Sequence, residues 1–269
     1  MVKLKFLKFF IFSVIAFFFV GCGDYGKLLK SKDNDLKYKA ARDYYAKEKY
    51  DKALPLFEDV LAAWKGQDRS EEVYYYYCYT QYGMGNLPSA SFHFKNFTET
   101  FFTSKHLEEC AFMHAHCEYN MVLPIRLDQT QTKRAIDELQ LFINLHPKSS
   151  YVDSCNTLMD DLRLQLIKKD YNNAILYYNV GRYKSAITAL DNLLKDYPGM
   201  DNEDEVEFYI VKSYQQLSEN SVPEKLKERW TKTTELSNNF IQKFGTSNKY
   251  AARVVAIKET ADKRLKLLK

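Results

Sequence analysis

From about residue 36 to the end of the chain, apolar side chains recur every three or four positions with polar residues between them. This is the period of an amphipathic helix. Upstream the pattern differs. Lys3, Lys5 and Lys8 precede an uncharged run of 12 residues over 9–20, which ends at Gly21 and Cys22 before the chain turns polar. That run is too short to span a bilayer, which takes about 20 apolar residues. A basic start, a short apolar run and a small residue at its end describe a secretory signal peptide over 1–21. Residues 22–36 are rich in Lys and Asp and read as a flexible tether.

Within the helical region three stretches share one pattern. A small residue (Ala41, Cys78, Ala174) is followed by an Ala (Ala53, Ala90, Ala186), and four positions later by a bulky apolar residue (Phe57, Phe94, Leu190). Two antiparallel helices approach closely where both side chains are small, and the bulky residue fills the space towards the next pair. Gly85 and Gly181 stand where the turn leaves the first helix, as a C-terminal cap does. The pattern resembles the tetratricopeptide (TPR) repeat, a 34-residue helix pair.

A degenerate copy lies between. Ala135, Leu139 and Phe142, ending at Pro147, mark a second helix, whose partner is expected over about 105–122 with a loop inserted over 123–131. The pair-forming alanines Ala53, Ala90, Ala135 and Ala186 are 37, 45 and 51 residues apart, so loops or helices are lengthened. Residues 151–178 contain no Pro or Gly and predict one long helix. A fifth pair is expected over about 203–218 and 224–244, and an amphipathic capping helix over 248–269. The expected fold is all-α: a TPR-like α-solenoid of about five helix pairs plus a C-terminal capping helix. Repeats 1–3 would occupy 37–147, and repeats 4–5 with the cap 148–269.

Composition narrows the function. Without 1–21 the chain has 248 residues, with 36 Lys and Arg against 35 Asp and Glu. No net basic field is left to attract phosphates, which argues against a nucleic-acid partner. Cys78, Cys110, Cys117 and Cys155 lack the dense spacing of a disulfide scaffold and read as small buried residues.

Little catalytic chemistry is visible. There is no Gly-rich phosphate loop, nucleophile elbow or zinc-protease helix, so no catalytic residue and no cofactor is expected. Cys110, His114 and Cys117 share a helix face with zinc-like ligand types, but core packing is the preferred reading and no metal is expected. The acidic pairs Glu108–Glu109 and Asp160–Asp161 read as solvated helix faces. The first helices of TPR pairs line a concave groove. That resemblance places Tyr38, Arg42 and Tyr45 of the first repeat and Tyr75, Tyr79 and Tyr82 of the second in a peptide groove, with Tyr171 and Tyr178 in the fourth. Tyr combines rigid apolar area with a hydroxyl, which suits peptide recognition.

Phe19-Val20-Gly21-Cys22 resembles a bacterial lipobox, in which the Cys is acylated and becomes the mature N-terminus. A lipobox, a short tether, five TPR-like pairs and a capping helix together resemble the BamD family of outer-membrane lipoproteins. The resemblance implies lipidation at Cys22 and a place on the periplasmic face of the outer membrane. It implies two partners: the periplasmic POTRA part of the barrel-assembly protein BamA, bound through about 203–245, and unfolded outer-membrane β-barrel proteins, bound by the N-terminal repeats. The alternative is a TPR lipoprotein that scaffolds periplasmic or cell-wall enzymes. A glycan-binding lipoprotein of the SusD type fits less well, because those chains are about twice as long and only Trp64 and Trp230 could serve as sugar platforms.

Overall fold

The computed structural model describes residues 22–268. The expected signal peptide over 1–21 and the side chain of Cys22 lie outside the described part. Twelve helices and no strand occur among the described residues: α1 Cys22–Lys30, α2 Asn34–Ala46, α3 Tyr50–Ala63, α4 Ser70–Gly83, α5 Leu87–Thr100, α6 Leu107–Asn120, α7 Thr130–Leu145, α8 Val152–Asn179, α9 Tyr183–Asp196, α10 Glu203–Glu219, α11 Pro223–Phe244 and α12 Ala251–Leu267. They form two compact units. The first holds the described residues up to Leu123 together with Thr130–Met159, and the second holds Pro124–Gln129 and the described residues from Asp160 onward. None of these helices is long and apolar enough to cross a membrane.

In the first unit the helices pair as α2/α3, α4/α5 and α6/α7. The small residues that let partners approach (Ala41 with Ala53, Cys78 with Ala90) and the bulky Phe57 and Phe94 are all fully buried. Each buried Phe contributes about 1.5–3 kcal/mol. The α4–α5 turn closes through Gly85 at φ +76°, where the Asn86 N–H donates to Gln81 O (3.0 Å) and the Gly85 N–H to Tyr82 O (2.9 Å). This is a Schellman cap, which needs a left-handed residue. The α2–α3 turn makes the same two bonds, Lys49 N–H to Tyr44 O and Glu48 N–H to Tyr45 O, but its left-handed residue is Glu48 at φ +56°.

The degenerate third pair, α6/α7, is held by polar groups as well as by Ala135, Leu139 and Phe142. Glu118, almost fully buried, accepts hydrogen bonds from Ser91 on α5 and from Gln131 on α7, and pairs with Arg134. Cys78, Cys110 and Cys117 lie in one apolar cluster with Phe94 and Phe97. Burial pushes the Cys117 thiol up to about 12, so it behaves as a small apolar residue rather than a thiolate ligand. His114 turns to Ser91 and Glu138 instead, and no metal-binding group forms among the described residues.

Residues 22–36 differ from the expected flexible tether, because α1 packs onto the first pair. Tyr25, Leu28 and Leu29 share one helix face and join the Phe57 cluster. The Tyr25 hydroxyl donates to Lys52 O (3.0 Å), and its ring meets Tyr44 edge-on at 5.6 Å.

In the second unit α8 pairs with α9 through Ala174, Ala186 and Leu190, all fully buried, across a Schellman turn at Gly181 (φ +74°). The α10/α11 pair puts hydroxyl residues where the others put Ala: Ser213, Thr233 and Ser237 are fully buried. The capping helix α12 packs Val254 and Ile257 against Phe208 and Phe240. The loop at 124–129 is tied to α8: Lys169 Nζ donates to Leu127 O (2.7 Å) and Ile125 O (3.2 Å), and Gln165 to Gln129 Oε1 (2.8 Å).

Candidate functional site

Two first helices of the first unit, α2 and α4, carry the six residues of the expected groove, all half-buried. Two carboxylates organise them. The Arg42 guanidinium lies 3.8 Å from the centroid of the Tyr76 ring and donates to Tyr38 Oη (2.9 Å) and Glu72 Oε1 (2.7 Å). The Tyr45 ring meets Tyr76 edge-on at 5.1 Å. One helix further on, the Tyr75 and Tyr79 hydroxyls both donate to Glu109 Oε1, at 2.9 and 2.5 Å. His106 lies against the Tyr75 ring (centroids 4.1 Å apart), with its Nδ1 3.4 Å from Glu109 Oε2. Tyr82 joins neither group; its nearest ring neighbour is His116, at 6.2 Å.

Burial pushes Tyr38 and Tyr45 up to about 12. It raises Tyr75 and Tyr79 further, helped by the Glu109 charge that their protons bridge. Burial also acts upward on Glu109, but the bonds from Tyr79, Tyr75 and His106 outweigh it and hold the carboxyl below its ordinary value. All four hydroxyls on this face therefore stay protonated donors at neutral pH. The face can bind through ring surface, hydroxyl groups and one guanidinium. The Arg42 side chain is 37% exposed and that of Glu72 is 57% exposed, so the pair is worth about 0–1 kcal/mol and an incoming carboxylate can replace Glu72.

The structure adds Glu72, Tyr76, His106 and Glu109 to the face. The sequence did carry a signal for part of this. Tyr75 and Glu109 are 34 residues apart, and so are Tyr171 and Glu205 in the second unit, whose hydrogen bond is also 2.9 Å. That spacing is the repeat period. The reading of Glu108–Glu109 as solvated is corrected: Glu109 takes the two tyrosines, and Glu108 accepts from Ser149 Oγ (2.6 Å), because both sit where α6 meets its neighbours. In the second unit Tyr178 lies against Tyr209 at 5.6 Å. A cavity of the first unit, about 860 Å³, is lined by Leu61, Gln67, Glu71, Tyr74, Asn96 and Phe101 among others, and includes none of the six expected residues.

A family model described as YfiO, outer membrane lipoprotein, matches residues 30–229. The chain therefore belongs to that family, which is the BamD family. No curated protein matches the sequence significantly. Among solved structures the chain is similar to TTC0263, a thermophilic TPR protein of Thermus thermophilus (15% identity, 83% of this chain and 98% of that one, TM-score 0.33). It is also similar to the TPR2AB domain of yeast Sti1 in its pHSP90 complex (12% identity, 85% and 98%, TM-score 0.41).

Proposed function

We propose that this member of the YfiO outer-membrane lipoprotein family is a non-enzymatic, lipid-anchored subunit of a β-barrel assembly complex on the periplasmic face of the outer membrane. In this reading Cys22 carries the acyl anchor. The face of Tyr38, Arg42, Tyr45, Tyr75, Tyr79 and Tyr82 receives an extended segment of an unfolded outer-membrane β-barrel protein. The region 203–245 contacts the POTRA part of a BamA-like protein. The observation that carries the substrate side is the half-open aromatic face, on which one guanidinium, positioned by Tyr38 and Tyr76, has an exchangeable carboxylate as its counter-ion. Ring stacking suits aromatic side chains of an extended peptide, and Arg42 suits its terminal carboxylate. TPR-like helix pairs and family membership support a protein-binding role rather than catalysis.

Two measurements test this. Tagged protein is extracted from membranes with its partners, which are identified by mass spectrometry. Recovery of a POTRA-containing barrel protein is the expected result, whereas recovery of cell-wall enzymes without one sinks the assembly role. Separately, a peptide ending in an aromatic residue with a free carboxylate should bind the wild type, and Tyr79→Ala combined with Tyr82→Ala should weaken it at least 10-fold. Unchanged binding removes the groove.

A further inference from the structure

The second unit carries its own aromatic floor, with a different charge balance. Tyr178 on α8 lies against Tyr209 on α10, and Phe208 beside it stacks on Tyr250 at 4.6 Å. Two cations rest on these rings. Lys212 Nζ is 4.8 Å from the Tyr178 centroid and 5.5 Å from that of Tyr209, and Arg253 from α12 lies 4.3 Å over Phe208. The Arg253 charge also reaches Tyr178, so both cations bear on one ring.

Most other cations on rings have counter-ions, although Lys52, over Tyr25 and Tyr44, has no ion pair among the described residues. Arg42 has Glu72, Arg69 has Asp35, and Lys243 has Glu203 and Glu207. No ion pair or hydrogen bond to a carboxylate holds Lys212 or Arg253 among the described residues. Glu205 accepts from Tyr171, and Glu219, whose charge also reaches Tyr178, accepts from Gln215 and Gln216. Two cations pre-positioned by ring contacts and without a direct ion pair form a landing point for carboxylate, and the half-buried tyrosine rings beside them for an apolar or aromatic side chain.

We propose that Tyr178, Tyr209, Lys212 and Arg253, backed by the buried Phe208 ring, form a second peptide site, which takes an extended acidic segment of a partner protein. The proposal gives a chemistry to the partner side of the assembly reading. It rests on that reading for who the partner is, not for the existence of the site.

The test uses the full lipidated protein in detergent and three fluorescein-labelled 12-residue probes. One alternates Asp with Phe and has an amidated C-terminus. A second has Asn for every Asp. A third is the Asn peptide with a free C-terminal carboxylate. Binding is followed by fluorescence anisotropy in the wild type, in Arg42→Met to disable the first unit's cation, and in Lys212→Met, Arg253→Met and their double variant. The Asp peptide is expected to bind at least 10-fold tighter than its amidated Asn counterpart and to weaken at least 5-fold from 50 to 300 mM NaCl. The double variant should lose at least 10-fold, and more than Arg42→Met loses. Equal binding by the third probe in Arg42→Met, where the first unit's cation is absent, would assign the site to chain termini rather than to side-chain carboxylates, against the proposal.

Loss in Arg42→Met but not in the double variant also overturns it, and leaves the first-unit groove standing. Should the double variant melt early, Lys212→Arg with Arg253→Lys must keep the affinity, and absence of salt dependence in the wild type overturns the proposal by itself. Recovery of a POTRA protein in the pull-down is independent of all these outcomes.

Discussion

Glu48→Gly should stabilise the protein although it removes a side chain and adds no contact. Glu48 occupies the left-handed position of the α2–α3 turn at φ +56°, where Gly85 and Gly181 serve the equivalent turns at φ +76° and +74°. Its side chain is exposed and makes no hydrogen bond or ion pair that the substitution would forfeit. For an L-residue that conformation costs about 1–2 kcal/mol through the clash of Cβ with the following carbonyl. Glycine removes this cost but adds about 0.4–1 kcal/mol of unfolded-chain entropy. The net gain is about 0.5–1 kcal/mol, or an increase of about 1–4 °C in Tm for a chain of this size. Urea melts of the mature protein followed by far-UV circular dichroism, with Tm measured alongside, read the difference. Gly85→Ala is the mirror experiment. An added Cβ there meets nothing within 4 Å, so only the backbone term acts and a loss of similar size is expected. The reasoning is refuted if Glu48→Gly lowers stability while Gly85→Ala behaves as expected, because the two turns share their hydrogen bonds and differ in the residue alone.

Other consequences can be checked in the same way. Glu109→Gln weakens the two charge-assisted hydrogen bonds that Tyr75 and Tyr79 donate to Oε1, and should cost about 1–3 kcal/mol in urea melts. The folded-state value of Glu109 is depressed below 4.5, so its contribution is complete above that pH and is lost as pH falls through the folded value. The variant's stability should accordingly fall less steeply in acid than the wild type's, and parallel curves would contradict this. Gly83→Ala places a Cβ 2.5 Å from the Tyr50 ring, which must move, at a cost of about 1–3 kcal/mol; an unchanged Tm would mean that the ring yields freely. Cys22→Ser should move the protein from the membrane pellet to the soluble fraction in cell fractionation, and retention in the pellet would argue against an acyl anchor at this residue.

The parts of the fold that could be read from sequence are those where one residue type has one geometric use. Ala41, Cys78 and Ala174 opposite Ala53, Ala90 and Ala186 are where helices touch most closely, and all six are fully buried. The long helix expected over 151–178 is α8, because nothing in that stretch interrupts a helix. Legibility failed where side chains have two uses. Ser213, Thr233 and Ser237 serve as small packing residues but read as polar. Tyr25, Leu28 and Leu29 form a stripe at helical spacing inside a Lys- and Asp-rich segment, where composition hid the period. At the candidate site, Tyr38, Arg42, Tyr45, Tyr75 and Tyr79 are brought into two groups. The carboxylates that hold them were not anticipated, because a Glu in the first turn of a helix is already explained by the helix dipole. Only its distance of one repeat from a tyrosine sets Glu109 apart.

The packing of α1 bears on how such a protein would stand at a membrane. A slack leash of 15 residues would let its load wander about 21 Å on average and turn freely. Here the helix begins at Cys22, and its first clamped ring, Tyr25, is three residues on, about 4.5 Å along the axis. An acyl chain at Cys22 would thus work as a short stalk, with the first repeat kept at a near-constant height above the lipid and in a restricted range of tilt. Cutting the Tyr25 contacts, without touching the lipid, would convert stalk to leash. Any partner that must meet the first repeat at a set distance from the bilayer would then find it less often.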